Sequence, residues 1–309
     1  MPAFVTHSLF GEDVFARVKD PGLFRLLAGH RAAFEWGLQG PDLLFYHGAV
    51  FSENRLPGYG NRMHDEKTAR LFETASRYLA GERGRPGFEE ALAYTMGFCC
   101  HYALDRETHP FIFCRQAEIA ALCPRRSYPG VHYRLESDID SALHWEKKGT
   151  PVQRFSFGKK FRAGRETKDA VARWYRHVLR QVYGLSVPLR EISACFEDTL
   201  ITLRFLLEPT GKAALLLTRG ADRLLGKHAH IEGHARLARP EGDPLNLKHR
   251  PWCHLGQPGE ERTESFLELY QKAEGEALAL MDRMLGAALG RAPWPCGPMP
   301  SFSEGDPKL

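Results

Sequence analysis

Residues 88–111 read FEEALAYTMGFCCHYALDRETHPF, and between Glu90 and Asp105 there is no Asp, Glu, Lys or Arg. A helix that is apolar on every side belongs in a core. The pattern therefore predicts a buried helix over 88–106. Pro110 disfavours the α conformation at His109, which predicts that the helix ends close to there. Working outward, 65–80 is amphipathic at helical period and is closed by Gly81 and the Gly84/Pro86 pair. On the C-terminal side, 118–122 reads as a short piece between loops, and Pro129-Gly130 opens a helix reaching Lys148. Further helices are expected over 166–183, 188–207, 212–225 and 262–289. Toward the N-terminus, 13–28 and 30–36 read as short helices broken near Gly29, followed by an irregular stretch over 37–60. Residues 150–164 and 229–261 carry loop signals, and the Pro-rich tail from Ala292 is expected to be loose. Strand-type alternation is scarce and no repeat is visible. The fold class is all-α, with one domain over 1–290 and a Pro/Gly-rich tail over 291–309.

The chain has 309 residues, a formal net charge of +4, 43% hydrophobic and 26% charged residues. That is an ordinary globular composition, too even in charge for a general nucleic-acid binder. Seven cysteines, an odd number, include the adjacent pair Cys99-Cys100 and no CxxC. Reduced thiols without a catalytic role are expected. The first residues, MPAFVTHSLFG, lack the basic and apolar regions of a signal peptide. The longest apolar run, around 213–218, falls short of the roughly 20 residues a membrane span needs. A cytoplasmic location is expected.

His101, Asp105 and His109 stand at i, i+4 and i+8 in CHYALDRETHPF. Residues four apart share a helix face, so imidazole and carboxylate point the same way, as in part of a zinc site. An aspartate in so apolar a helix is costly without a cation or a donor beside it. Alone, the triplet fits equally well an Asp–His pair at a helix end with the other histidine at the surface. VHYRLE then puts His132 and Glu136 at i, i+4 as well. Two such pairs on neighbouring helices are what a helix-bundle metal site uses. Asp42 lies in the apolar GPDLLFY, His64 in NRMHDEK just before a helix, and His7 near the start. His7, Asp42, His64, His101, Asp105, His109, His132 and Glu136 are too many ligands for one zinc and fit two or three.

This ordered set resembles the zinc-dependent phospholipases C of bacteria, whose all-α relatives include single-strand-specific zinc nucleases. The resemblance spans residues 1–150 as motifs; the remainder is similar only in being helical. It implies a multi-helix bundle of the zinc phospholipase C and zinc nuclease type, holding two or three Zn2+. It implies that Asp42, His64 and His101 hold one ion, with Asp105 bridging to another. His109, His132 and Glu136 would hold a further ion, and His7 would join Asp105 and the terminal amine at a third. Secreted members begin, after processing, with a tryptophan, and none stands near this chain's start.

Paired zinc ions activate a water and clamp phosphate oxygens, so hydrolysis of a phosphodiester is the expected reaction. Asp42 is the candidate general base and Glu136 the second choice. The substrate is a phosphate ester, either a phospholipid headgroup or a nucleotide. A nuclease on the same centre and a non-catalytic, zinc-stabilised binding protein are the rival readings. Phe45, Tyr46, Phe51 and Tyr59 either join the core or wall a pocket for a cationic headgroup. The stretch from Arg154 to Arg165, RFSFGKKFRAGR, interleaves cations with phenylalanines and could touch an anionic membrane surface. His47, His64-Asp65 and Asp105 would suit another metallophosphohydrolase class, but leave His109, His132 and Glu136 unused. Asp140, two turns beyond His132, is placed to orient its imidazole or is simply an exposed acid. His228, His230, His234, His249, Cys253 and His254 read as surface residues, with a structural zinc as the alternative.

Overall fold

The computed structural model describes residues 4–304 apart from 48–55, 157, 159, 208–211, 227–229, 241 and 258. Along the chain run α1 (Phe4–Ala16), α2 (Pro21–Gly29), α3 (Arg31–Gly37), a 3-10 turn (Gly40–Leu44), α4 (Leu56–Asp65), α5 (Thr68–Glu82) and α6 (Phe88–Leu122). Then come α7 (Tyr128–Lys148), a 3-10 turn (Val152–Arg154), α8 (Arg165–Tyr183), α9 (Leu189–Leu206) and α10 (Lys212–Leu224). A third 3-10 turn (Glu232–His234), strands β1 (Trp252–Cys253) and β2 (Glu261–Arg262), and α11 (Phe266–Ala288) complete the described chain. The two strands are a two-residue antiparallel pair with Trp252 opposite Arg262. The all-α architecture is as expected.

The axis of the bundle is α6, whose 35 residues span about 52 Å at 1.5 Å per residue. Its expected end at His109 is not observed: the helix runs through Pro110 to Leu122. Proline there deprives the Arg106 carbonyl of its donor and costs about 3 kcal/mol. Against that, every residue from Glu90 to Gln116 except Arg106 is buried. Phe111, Ile112 and Phe113 alone offset the proline, at about 1.5–3 kcal/mol each. Helices α3, α7, α8 and α11 pack along it.

Helix α1 was not expected from the sequence. Every residue from Phe4 to Gly11 is buried, so no polar face betrays the helical period. His64 likewise belongs to α4, a separate helix ahead of α5. Helix α11 begins four residues later than its pattern suggests, at a capping box between Ser265 and Glu268. The tail, expected to be loose, is docked at Phe302. Phe302 is fully buried against Phe72, Phe98 and Tyr102, and its N–H donates to the His64 carbonyl at 2.9 Å. In the 154–165 stretch, Phe155 and Phe161 pack inward against Phe4, while Phe157 lies outside the described residues. No helix is long and apolar enough to cross a membrane, among the described residues.

Helices α3 and α6 cross with their backbones in contact. A Cβ on Gly97 would strike the Phe34 carbonyl oxygen, and one on Gly37 the Tyr94 carbonyl. These are backbone atoms and cannot swing aside. Gly97→Ala is therefore expected to destabilise the protein by about 1–3 kcal/mol in chemical denaturation. Gly275→Ala, in α11 with nothing within 4 Å of the added methyl, should be neutral or stabilise by about 0.5–1 kcal/mol. Equal effects of the two substitutions would contradict the crossing.

Candidate metal centre

Five elements deliver the eight predicted residues to one place. His7 comes from α1, Asp42 from the first 3-10 turn and His64 from the last turn of α4. His101, Asp105 and His109 come from α6, and His132 and Glu136 from α7. Ligand atoms lie within 4.8 Å of one another in three groups: His7–His101–Asp105, Asp42–His64–His101 and His109–His132–Glu136. Asp105 sits at the middle. Its Oδ1 is 3.1 Å from His7 Nε2, and its Oδ2 is 3.0 Å from His101 Nε2 and 3.6 Å from His64 Nε2. Glu136 Oε1 is 3.1 Å from His132 Nε2 and 3.6 Å from His109 Nε2. Asp42 Oδ1 is 3.3 Å from His64 Nε2.

Four of the imidazoles are held from behind. Nδ1 of His64 donates to the Gly60 carbonyl at 2.8 Å, and that of His101 to the Leu38 carbonyl at 3.0 Å. Nδ1 of His109 donates to the carbonyl of Asp105 at 3.1 Å, and that of His132 to the Gln116 side-chain oxygen at 3.0 Å. Because His109 lies inside a continuous helix, it is fixed in place and not free to turn. Gln116 is itself oriented, its amide nitrogen donating to the Tyr128 carbonyl at 2.9 Å. At Gly40, where φ is +48°, a side chain would collide with the His101 ring, so the turn carrying Asp42 can lie flat on it.

A neutral imidazole that donates from Nδ1 presents a lone pair at Nε2. Four such lone pairs here face carboxylate oxygens, and those of His64 and His101 also face each other at 3.3 Å. Acceptors confronting acceptors in a buried site need cations between them, either protons or a metal. Asp42 Oδ2 and His7 Nδ1 are in addition buried with no hydrogen-bond partner. Without a metal, protons must do the work. Burial alone would lower the pKa of His109, but the charges of Asp105 and Glu136 push it up to about 9. Burial would raise Asp105, yet the surrounding His101, His109 and His7 hold it well below its ordinary value. Glu136 is likewise held low, chiefly by His132, against the effect of burial.

Other readings change. Asp140 does not orient His132. It is fully buried, accepts from the Thr6 N–H at 2.7 Å and the Thr6 hydroxyl at 2.8 Å, and pairs with Arg236 at 2.8 Å. It thereby pins the start of α1 one residue before His7. His47 turns to Asp198 at 2.7 Å and away from the alternative His64-Asp65 grouping. Of the aromatic set, Phe45 stacks on His64 with centroids 5.6 Å apart and Tyr46 is buried, while Phe51 lies outside the described residues. His249 is exposed, but His234 is stacked on Tyr133 and His254 is buried. His228 lies outside the described residues, and no metal-capable group among those described includes His230, His234, His249, Cys253 or His254. Gln116, Arg236 and Phe302 carried no signal in the sequence; only the Gly-Pro preceding Asp42 hinted at a fixed turn.

The family model for zinc-dependent phospholipase C matches residues 6–184, which contain every one of the eight residues. The chain belongs to the zinc-dependent phospholipase C family. Comparison with curated proteins and with solved structures finds no match. The zinc that the family implies suits the donors present: buried nitrogen and carboxylate oxygen atoms, aimed at one another and short of protons.

The Asp140–Arg236 pair yields a test of how His7 is held. Asp140→Ala takes the carboxylate from the buried Arg236 guanidinium and the acceptor from Thr6, so a loss of about 3–5 kcal/mol is expected in denaturant unfolding. A loss below about 1 kcal/mol would mean that α1 is anchored by other contacts.

Proposed function

We propose that the protein is a zinc-dependent phosphodiesterase of the phospholipase C type, hydrolysing a phospholipid diester. The observation that carries this is Asp42. One of its oxygens faces the histidine cluster and the other is buried without a partner. A purely structural zinc site is closed and leaves no such group idle. Asp42, His64 and His101 would hold one ion, His109, His132 and Glu136 a second, with Asp105 between them. His7, with Asp105, would hold a third. Bound zinc supplies a water of lowered pKa and positive charge opposite the phosphate oxygens.

This chain's own residues do the rest. Asp42 Oδ2 takes the proton of the attacking water as its oxygen bonds to phosphorus. The ester bond to the leaving alcohol breaks, and its oxygen takes up the proton that Asp42 received. Glu136 is the second candidate for this duty. The carbonyls of Leu38 and Gly60 and the Gln116 amide keep Nε2 of His101, His64 and His132 aimed inward throughout. Burial raises the pKa of Tyr46, so its hydroxyl keeps its proton beside the acidic cluster. The family favours a lipid diester over a nucleotide, and a net charge of +4 adds nothing toward a nucleic-acid groove. Seven free thiols favour a reducing compartment, in line with a cytoplasmic location.

Asp42→Asn keeps the size and one ligand oxygen but removes the base. Turnover of a bis-aryl phosphodiester is expected to fall about 10²–10⁴-fold while zinc content and unfolding midpoint stay near wild type. Chelation should abolish wild-type turnover, and added zinc restore it. Unchanged turnover in the variant would remove Asp42 from the chemistry.

A further inference from the structure

Helix α10 turns its polar side to the protein and its leucines to solvent. The buried residues of this helix are Ala214, Thr218 and Asp222. Asp222 accepts the backbone N–H groups of Ile231 and Glu232, each at 2.9 Å. Outward, Leu216 is 68% exposed, Leu217 61%, Leu224 90% and Leu225, just past the helix end, 61%. At 3.6 residues per turn, Ala213, Leu216, Leu217, Gly220 and Leu224 share an arc of roughly 100°. Lys212, Arg219 and Arg223 run along one edge of that arc. The only acid in the helix is Asp222, which faces inward. Helix α9, which precedes it in the chain, also exposes Ile201 and Phe205, one turn apart and 64% and 41% exposed, with the exposed Arg204 between them in sequence.

We propose that this face docks the protein on an anionic phospholipid bilayer. So many exposed leucines on one helix mark an interaction surface. Charge decides the partner: Lys212, Arg219 and Arg223 border the apolar arc on one side, and the one carboxylate within the helix, Asp222, faces the protein. That is the pattern of a helix lying in the plane of a membrane interface, leucines in the acyl boundary and basic side chains reaching to lipid phosphates. Thirteen residues give about 20 Å of such contact. Arg219 also bridges to Glu232 at 2.9 Å, which ties the helix to the body it would anchor. The 154–165 stretch is a weaker candidate, since Phe155 and Phe161 are spent on the core. Docking rests on the phospholipase reading only in that the substrate would be met at this surface.

The test is co-sedimentation of the full chain with vesicles of phosphatidylcholine, with and without phosphatidylserine, in zinc and in chelator. Binding is expected only with phosphatidylserine, weakened by salt and indifferent to chelation. Leu217→Ser with Leu224→Ser should weaken it about tenfold or more, and Arg219→Gln with Arg223→Gln by about fivefold per charge. Turnover of a soluble phosphodiester should be unchanged in both variants. Failure of the wild type to bind either vesicle, or full binding by the leucine variant, would overturn the proposal. So would a wild-type dimer that the leucine variant dissolves, which would make a second copy the occupant. A wild type that binds vesicles but never turns over a phosphodiester would sink the hydrolase reading and leave docking intact.

Discussion

Everything at the centre of this protein follows from where four Nδ1–H groups go. Each is taken up by an oxygen behind the ring: the carbonyls of Gly60, Leu38 and Asp105, and the side chain of Gln116. Once those bonds are made, Nε2 can only offer lone pairs, and it offers them to Asp42, Asp105 and Glu136. The bundle has thus assembled a pocket of acceptors in a medium that penalises uncompensated charge. A divalent ion relieves this more fully than protons can, because one ion answers several acceptors at once. The raised pKa of His109 and the depressed ones of Asp105 and Glu136 are the same frustration expressed through protons.

The scaffold exists to keep those oxygens in place. Leu38 reaches the His101 ring because α3 lies against α6 at Gly37 and Gly97. Asp42 follows from the same approach, since Gly40 lets the next turn rest on that ring. Asp140 fixes α1 through Thr6, and so His7. From the far end of the chain Phe302 packs against His64 and His101 and takes up the His64 carbonyl. Family membership covers 6–184, yet Arg236 and Phe302, outside that stretch, brace residues within it.

His101, Asp105, His109, His132 and Glu136 were legible because i, i+4 spacing survives any detail of tertiary structure: a helix carrying HxxxD or HxxxE must present both groups together. Asp42, His64 and His7 have no such spacing and were picked out only as members of the ordered set. The helix count was less legible. α1 hides its period because it is buried all round, and α4 hides among glycine, proline and aromatics. At Pro110 a local rule was overridden by tertiary burial, which is worth more than the one hydrogen bond lost. The oxygens behind the rings are carbonyls and an amide from separate elements, and no spacing in the sequence records them. Asp140 shows the same blindness: its helical face pointed to His132, but its partners, Thr6 and Arg236, lie 134 and 96 residues away.

The most direct measurement is anomalous scattering at the zinc edge from crystals of protein prepared with zinc. Two or three peaks are expected within about 2.0–2.2 Å of the Nε2 and carboxylate atoms of the three groups, one of them bonded to Asp42. Absence of any peak among these eight residues, with zinc bound elsewhere or not at all, would contradict the metal centre. The facing lone pairs would then have to be satisfied by protons alone.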